Sequence, residues 1–336
     1  MAWLVWSPLV ANLVLGLLGP RIARTLPPRV AVRLVSTAMV AVALGTATVL
    51  TALGFLSLVQ MPQIALLGSW SPGRLGDEQP WPVAAEAIAG TCAAILLAAG
   101  LSTTVRVVRD LVRTAEAGRR LAGGTDGVVI VSDTVPDAFA LPALPRTPGR
   151  VVVTTAMLRA LDGDERRVVF AHEAAHVSQR HHMYIQLARL ASASNPLLRP
   201  TAHAVRFAVE RAADEAAAGQ VGSRQLTARA LARAALAKAA ALRAAADVNG
   251  PDHGSTGIAH IVLPATDGQV ALRAAALLAP APRPRHAVAV GLLLLTIVTL
   301  VGASVAVDQL DDRLDQAGMP APRPQLAAPV PHVPHL

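Results

Sequence analysis

The chain holds one cysteine, Cys92, in 336 residues. No intrachain disulfide can form, and no set of thiolates can gather around a metal ion. Aromatic residues are equally scarce, at 3%, and charged residues make up only 15%, against about 25% in ordinary soluble domains. The arginines are not interleaved with aromatics and no nucleic-acid-binding motif is present, so nucleic acid is not an expected partner despite a net charge of +8. What the chain has in abundance is Ala, Leu and Val. It is 53% hydrophobic with a mean hydropathy of +0.46, the composition of a membrane protein with a soluble part.

A helix that crosses a bilayer needs about 20 mostly apolar residues. Four stretches qualify: residues 2–19, 34–59, 83–104 with the single charge Glu86, and 287–307. The first lacks the basic start and small-x-small site of a cleaved leader, so it reads as a retained helix. Cys92 lies in the third and reads as a small packing residue. Arginines set the orientation. Arg21, Arg24, Arg29 and Arg33 fill the first loop, and Arg106, Arg109, Arg113, Arg119 and Arg120 follow the third stretch. Acids instead gather in the loop 60–82 and, as Asp308, Asp311, Asp312 and Asp315, after the fourth stretch. The expected product is a multi-pass protein of the plasma membrane, with three spans in residues 1–104 and a cytoplasmic domain over 105–286. The fourth span then leads into a disordered, Pro-rich extracytoplasmic tail over 308–336, whose His332 and His335 read as unstructured surface.

Within the cytoplasmic part, residues 105–122 continue the third span as a basic helix near anionic headgroups. "GVVIVSD" (127–133), "DAFALP" and "GRVVVTT" read as strands. "LDGDERRVVFAHEAAHVSQRHH" reads as one helix, capped by Asp162 or Asp164 and acidic in its first turn. Residues 203–218 form a second helix ending at Gly219, and residues 223–247 an Ala-rich third. Residues 248–286 give no order.

The chemistry sits in "HEAAH". Successive helical residues turn by about 100°, so His172 and His176 stand about 40° apart, one turn apart in height. Two imidazoles at this spacing can bind one metal ion, while Glu173, on the same side, can reach a water rather than the ion. One zinc ion suits such ligands, with a position left for water; it lowers the water's pKa and polarises a carbonyl. Glu173 then serves as general base. A third ligand is required, and His181, His182, His203, Glu210, Asp214 and Glu215 are candidates. His181 and His182 lie too far along the same helix to converge, and read as surface. We prefer Glu210 to His203, because Asp214, one turn after Glu210, can orient a ligand histidine. An oxyanion partner is also needed, and His203 and Arg206 are the nearest polar choices.

"AHEAAHVSQRHH", "ERAAD" and the run "PDAFALP … GRVVVTTAMLRAL" resemble the integral-membrane zinc metallopeptidases of the gluzincin group, which includes HtpX-like proteases, CAAX prenyl proteases and BlaR/MecR-type sensor peptidases. The resemblance implies His172, His176 and Glu210 as zinc ligands, Glu173 as base and Asp214 as the carboxylate behind a ligand. It also implies an edge strand that pairs with substrate backbone, for which Phe139, Ala140 and Leu141 are the candidates. There are too few spans for a prenyl-substrate role and no room for an extracellular sensor domain. The expected fold is a mostly α membrane protein, with four transmembrane helices and an α+β zincin-like metallopeptidase domain. The expected activity is hydrolysis of protein or peptide substrates at the bilayer. Two rivals are a regulatory peptidase that cuts a cytoplasmic repressor and a non-catalytic scaffold that keeps zinc for structure. The second has no use for Glu173.

Overall fold

A computed structural model of the chain describes residues 2–68, 70–71, 82–121, 127–145, 147–249, 267–281 and 283–318. The tail from residue 319, with His332 and His335, lies outside the described residues, as do 72–81 and 250–266.

Four long apolar helices match the four stretches: α1 (Ser7–Thr25, entered by a 3-10 turn, Ala2–Trp6), α2 (Pro28–Val59), α4 (Val83–Arg120) and α11 (His286–Gly318). A short helix, α3 (Pro62–Gly68), follows α2. The third span and its basic continuation form one helix without a break. The fourth runs on as helix to Gly318, so residues 308–318 are not part of an irregular tail. Near that end Leu310, Leu314 and Ala317 pack on Leu56, Val59 and Trp70. The spans meet through small residues, as helices in lipid do: a Cβ on Gly54 of α2 would lie 2.2 Å from the Gly90 Cα of α4. Glu86 is buried there, accepting a hydrogen bond from Gln60 at 3.0 Å. Cys92 is exposed, so it faces outward from the bundle instead of packing within it.

Three strands form a small sheet in the order β1 (Val128–Val131), β3 (Arg150–Thr154), β2 (Ala138–Leu141). β1 runs parallel to β3, and β2 antiparallel with Phe139 opposite Val152. Helices follow: α5 (Thr155–Ala160), α6 (Gly163–Ser178), α7 (His181–Ser194), α8 (Arg199–Val221), α9 (Arg224–Asn249) and α10 (Asp267–Leu278). α6 begins as its sequence dictates. Asp162 accepts from the Glu165 amide at 2.9 Å and Glu165 reaches back to the Asp162 amide at 3.1 Å, a complete capping box.

Two departures from the sequence reading matter for the site. The helix expected over 161–182 ends at Ser178, because Arg180 adopts a left-handed conformation with φ 52°. His181 then opens a separate helix, α7. In addition, α7 and α8 do not hang below the membrane bundle. Ala188 and Ala191 of α7, and Ala202, Val205, Ala208, Val209 and Ala212 of α8, share one core with Leu15 of α1 and Val32, Val35, Met39 and Val42 of α2.

Candidate metal centre

α6 carries His172, Glu173 and His176 in its second half, and α8 packs against it with Glu210 and Asp214. His172, His176 and Glu210 each offer one ligand atom within 4.8 Å of the others. The two Nε2 atoms are 3.2 Å apart, and Glu210 oxygens lie 3.7 Å from His172 Nε2 and 3.8 Å from His176 Nε2. Zinc bonds imidazole and carboxylate at about 2.0–2.2 Å, which puts donors on one tetrahedral ion about 3.3–3.5 Å apart. The three spacings bracket that value, and two imidazoles with one carboxylate are a donor set that zinc takes. The residues present fit the metal.

The surroundings set the direction of each ring. His172 Nδ1 lies 3.0 Å from Asp214 Oδ1, which leaves Nε2 facing the cluster. Asp214 is buried, and Arg273 of α10 holds it with two bonds: Nε to Oδ2 at 2.8 Å and Nη2 to Oδ1 at 2.7 Å. The same guanidinium reaches Glu210 Oε2 at 2.9 Å. His176 turns its Nδ1 toward His181 Nδ1, 3.2 Å away, with the rings edge to face. His181 is 2% exposed, so the surface position expected for it is corrected. The helix break at Arg180 turns it back under His176, where a continuous helix would have carried it past.

The charges are coupled. Burial opposes a proton on His172, but its bonds to Asp214 and Glu210 win and raise its pKa to about 10. Those same carboxylates would answer a divalent cation at Nε2 in place of the proton. Burial and then His172 drive His176 down to about 3, the neutral form a ligand needs. Burial alone would raise Glu210 and Asp214, yet His172 and Arg273 hold both below the usual carboxylate range. Glu173 is pushed up to about 7, first by burial and then by Glu210 and Asp137, against the pull of His172 and Arg273. A carboxylate poised near neutrality suits proton transfer.

β2 packs beside α6 and is an edge strand: β3 covers one side, and no strand among the described residues covers the other. Phe139, Ala140 and Leu141 belong to this strand alongside α6. His203 and Arg206 lie on α8 before Glu210, His203 exposed and Arg206 half-buried. Among the described residues neither bonds to the histidine–glutamate group, and the structure does not bring them into it.

Arg273 is the residue that the sequence reading missed. It falls in the part that gave no order, inside the short apolar helix Gln269–Leu278. The available signal was its isolation, because a lone arginine within an apolar helix must find a counter-charge when buried.

A membrane bundle joined to an α+β unit, with a histidine–histidine–glutamate group beside an edge strand, defines a membrane metallopeptidase. Residues 103–284, over half the chain, match the family model of Peptidase family M48, and the chain belongs to that family. With its four spans it fits the HtpX-like membrane zinc metallopeptidases. No curated protein and no solved structure matches the chain.

Proposed function

We propose that this protein is a zinc endopeptidase whose single ion is held by His172, His176 and Glu210 and whose active site faces the cytoplasm at the plasma membrane. The observation that carries the reading is the convergence of those three side chains within 4.8 Å, with Glu173 next to the first of them. When bound, zinc supplies Lewis acidity that polarises a peptide carbonyl and acidifies a water. Glu173 takes the proton of the attacking water and passes it to the leaving amine. Asp214 fixes the tautomer and direction of His172, and Arg273 keeps Asp214 ionised in its buried position.

The substrate backbone lies along β2. The Thr154 amide donates to the Asp137 carbonyl, so in the antiparallel ladder the inward bonds fall on alternate residues: 137, 139 and 141. Among the three candidate edge residues, Ala140 therefore turns its N–H and C=O outward to a substrate, while Phe139 and Leu141 are engaged with β3.

The cytoplasmic setting is supported by charge. Arg29, in the first turn of α2 within the basic segment that joins the first two spans, acts electrostatically on His181, so that segment and the metal centre share a face. Loops rich in arginine stay in the cytoplasm.

The test is the Glu173→Gln variant of the full-length protein in lipid. Zinc content should match the wild type while cleavage of an unfolded protein falls about 100-fold or more, the scale of a lost general base. Equal cleavage by both would overturn the peptidase reading, and a zinc-free wild type would remove the metal assignment.

A further inference from the structure

Contacts from two spans fix the depth of the turn between α7 and α8. Thr201 Oγ1 donates to the Leu15 carbonyl of α1 at 2.7 Å. A Cβ on Gly16 would lie 2.9 Å from the Leu197 carbonyl oxygen, and one on Gly100 of α4 would lie 2.4 Å from Ser194 Oγ. Leu15 stands six residues before Arg21, and Gly100 six before Arg106, the arginines that end these two apolar runs. At about 1.5 Å per residue, both helices place the turn about 9 Å inside the arginine level. One leaflet of the hydrocarbon core is about 15 Å thick, so the turn passes the middle of the leaflet.

The sequence of the hairpin agrees with this depth. From Leu190 to Val205 it carries one full charge, Arg199, and it is bounded by Arg189 and Arg206. Arg189 pairs at 3.1 Å with Asp110, which lies four residues beyond Arg106 and so on the headgroup side. At the tip Pro196, Leu197 and Pro200 are exposed, Leu197 by 53%. They are level with the outward-facing Leu13 and Leu17 of α1 and Leu97 and Leu101 of α4. Arg199 is exposed too, and its long apolar stem lets the guanidinium reach back toward the headgroups.

We propose that the α7–α8 turn is a re-entrant hairpin seated in the leaflet on the metal-site side, with Pro196, Leu197 and Pro200 against lipid acyl chains. The peptidase unit is thus anchored by α7 and by the Glu210-bearing α8 as well as by the four spans. α7, with 14 residues, is about 20 Å long. Its first residue, His181, touches the metal centre, which therefore lies about 10 Å beyond the headgroup boundary. Peptide bonds close to the bilayer surface reach the centre before those of distant soluble chains.

The single native cysteine makes the test direct. Full-length protein carrying Cys92→Ala and Leu197→Cys is labelled with a nitroxide, in discs of phosphatidylcholine and phosphatidylglycerol. Collisions with oxygen and with a water-soluble nickel chelate then report depth. Labels at Leu101→Cys, facing lipid, and Leu236→Cys, exposed on α9, set the two ends of the scale. The Leu197 label should behave as the Leu101 label does, favouring oxygen and excluded from nickel. A Leu197 label as open to nickel as the Leu236 label overturns the proposal. If Leu197→Cys does not fold, Pro196→Cys carries the same label, with the same two outcomes. No catalysis is read, so the result stands apart from the peptidase assignment.

Discussion

His181 Nδ1 lies 3.2 Å from His176 Nδ1, across a helix break of two residues. With a metal ion on His176 Nε2, the proton of that ring would sit on Nδ1 and be donated to His181. On the proposed zinc site, His181 would take the place that a carboxylate or carbonyl usually holds behind a metal-ligating imidazole.

Replacing His181 by Ala should therefore weaken zinc binding about 10–100-fold, the range for removing such a partner. His181→Asn, whose side-chain oxygen can accept the same hydrogen, should recover part of that loss. Competition against a chelator gives the affinity, and the visible spectrum of a cobalt-substituted protein reports ligand geometry. Unchanged affinity in His181→Ala would mean that the buried histidine only packs.

Arg273 is predicted to matter more for stability than a surface arginine. It is 5% exposed and holds the buried Asp214 with two bonds and Glu210 with a third. Arg273→Met removes the guanidinium from both carboxylates and leaves them only His172 as a partner of opposite charge. Removing one partner of a buried pair costs about 3–5 kcal/mol. The thermal midpoint of the detergent-solubilised protein should fall, and zinc should restore part of it by neutralising Glu210. A midpoint equal to wild type in zinc-free buffer would sink this account of Arg273.

The four spans and the "HEAAH" helix were legible because each rests on a short-range pattern. An uncharged run of span length and a pair of histidines one turn apart need no tertiary knowledge. Glu210 and Asp214 were legible for the same reason, being one turn apart on a second helix. The break at Arg180 was not, because "SQRHH" offers no glycine or proline and a left-handed arginine has no sequence signature. That one residue moves His181 from the surface into the site. The seating of α7 and α8 among the spans was also hidden. Their buried faces are built mostly of Ala and Val, which fit equally well against a soluble core and against a membrane helix. The role of Arg273 depended on a fold that brings α10 across α8, some 59 positions from Asp214 in sequence.

If substrate adds to the sheet at β2, a proline at position 140 should hurt binding without disturbing the fold. Ala140 faces its amide away from β3 under the ladder's alternation, so Ala140→Pro removes only a donor to substrate and fits an edge strand. One lost hydrogen bond of about 0.5–1.5 kcal/mol corresponds to a rise in KM of up to about tenfold. Thermal stability and zinc content should stay at wild-type levels, and kcat should change less than KM. A variant with wild-type KM on several peptides would exclude β2 as the docking strand.

The start of α6 is a second place where sequence and energetics can be compared directly. The Glu165 side chain is fully buried, bonds the Asp162 amide, and receives Arg233 at 3.0 Å on both oxygens and Arg229 at 3.2 Å. Both arginines are more than half exposed, so on losing Glu165 they return to water and the ion pairs themselves contribute little. The cost of Glu165→Ala is then mainly the lost cap and the space left behind, about 1–3 kcal/mol. For a unit of this size each kcal/mol lowers Tm by about 2–4 °C. Glu165→Gln keeps an oxygen for the Asp162 amide and should lose clearly less. The ordering wild type, Gln, Ala in thermal midpoint is the readout. If Gln fell as far as Ala, the charge and not the cap would be what the position needs.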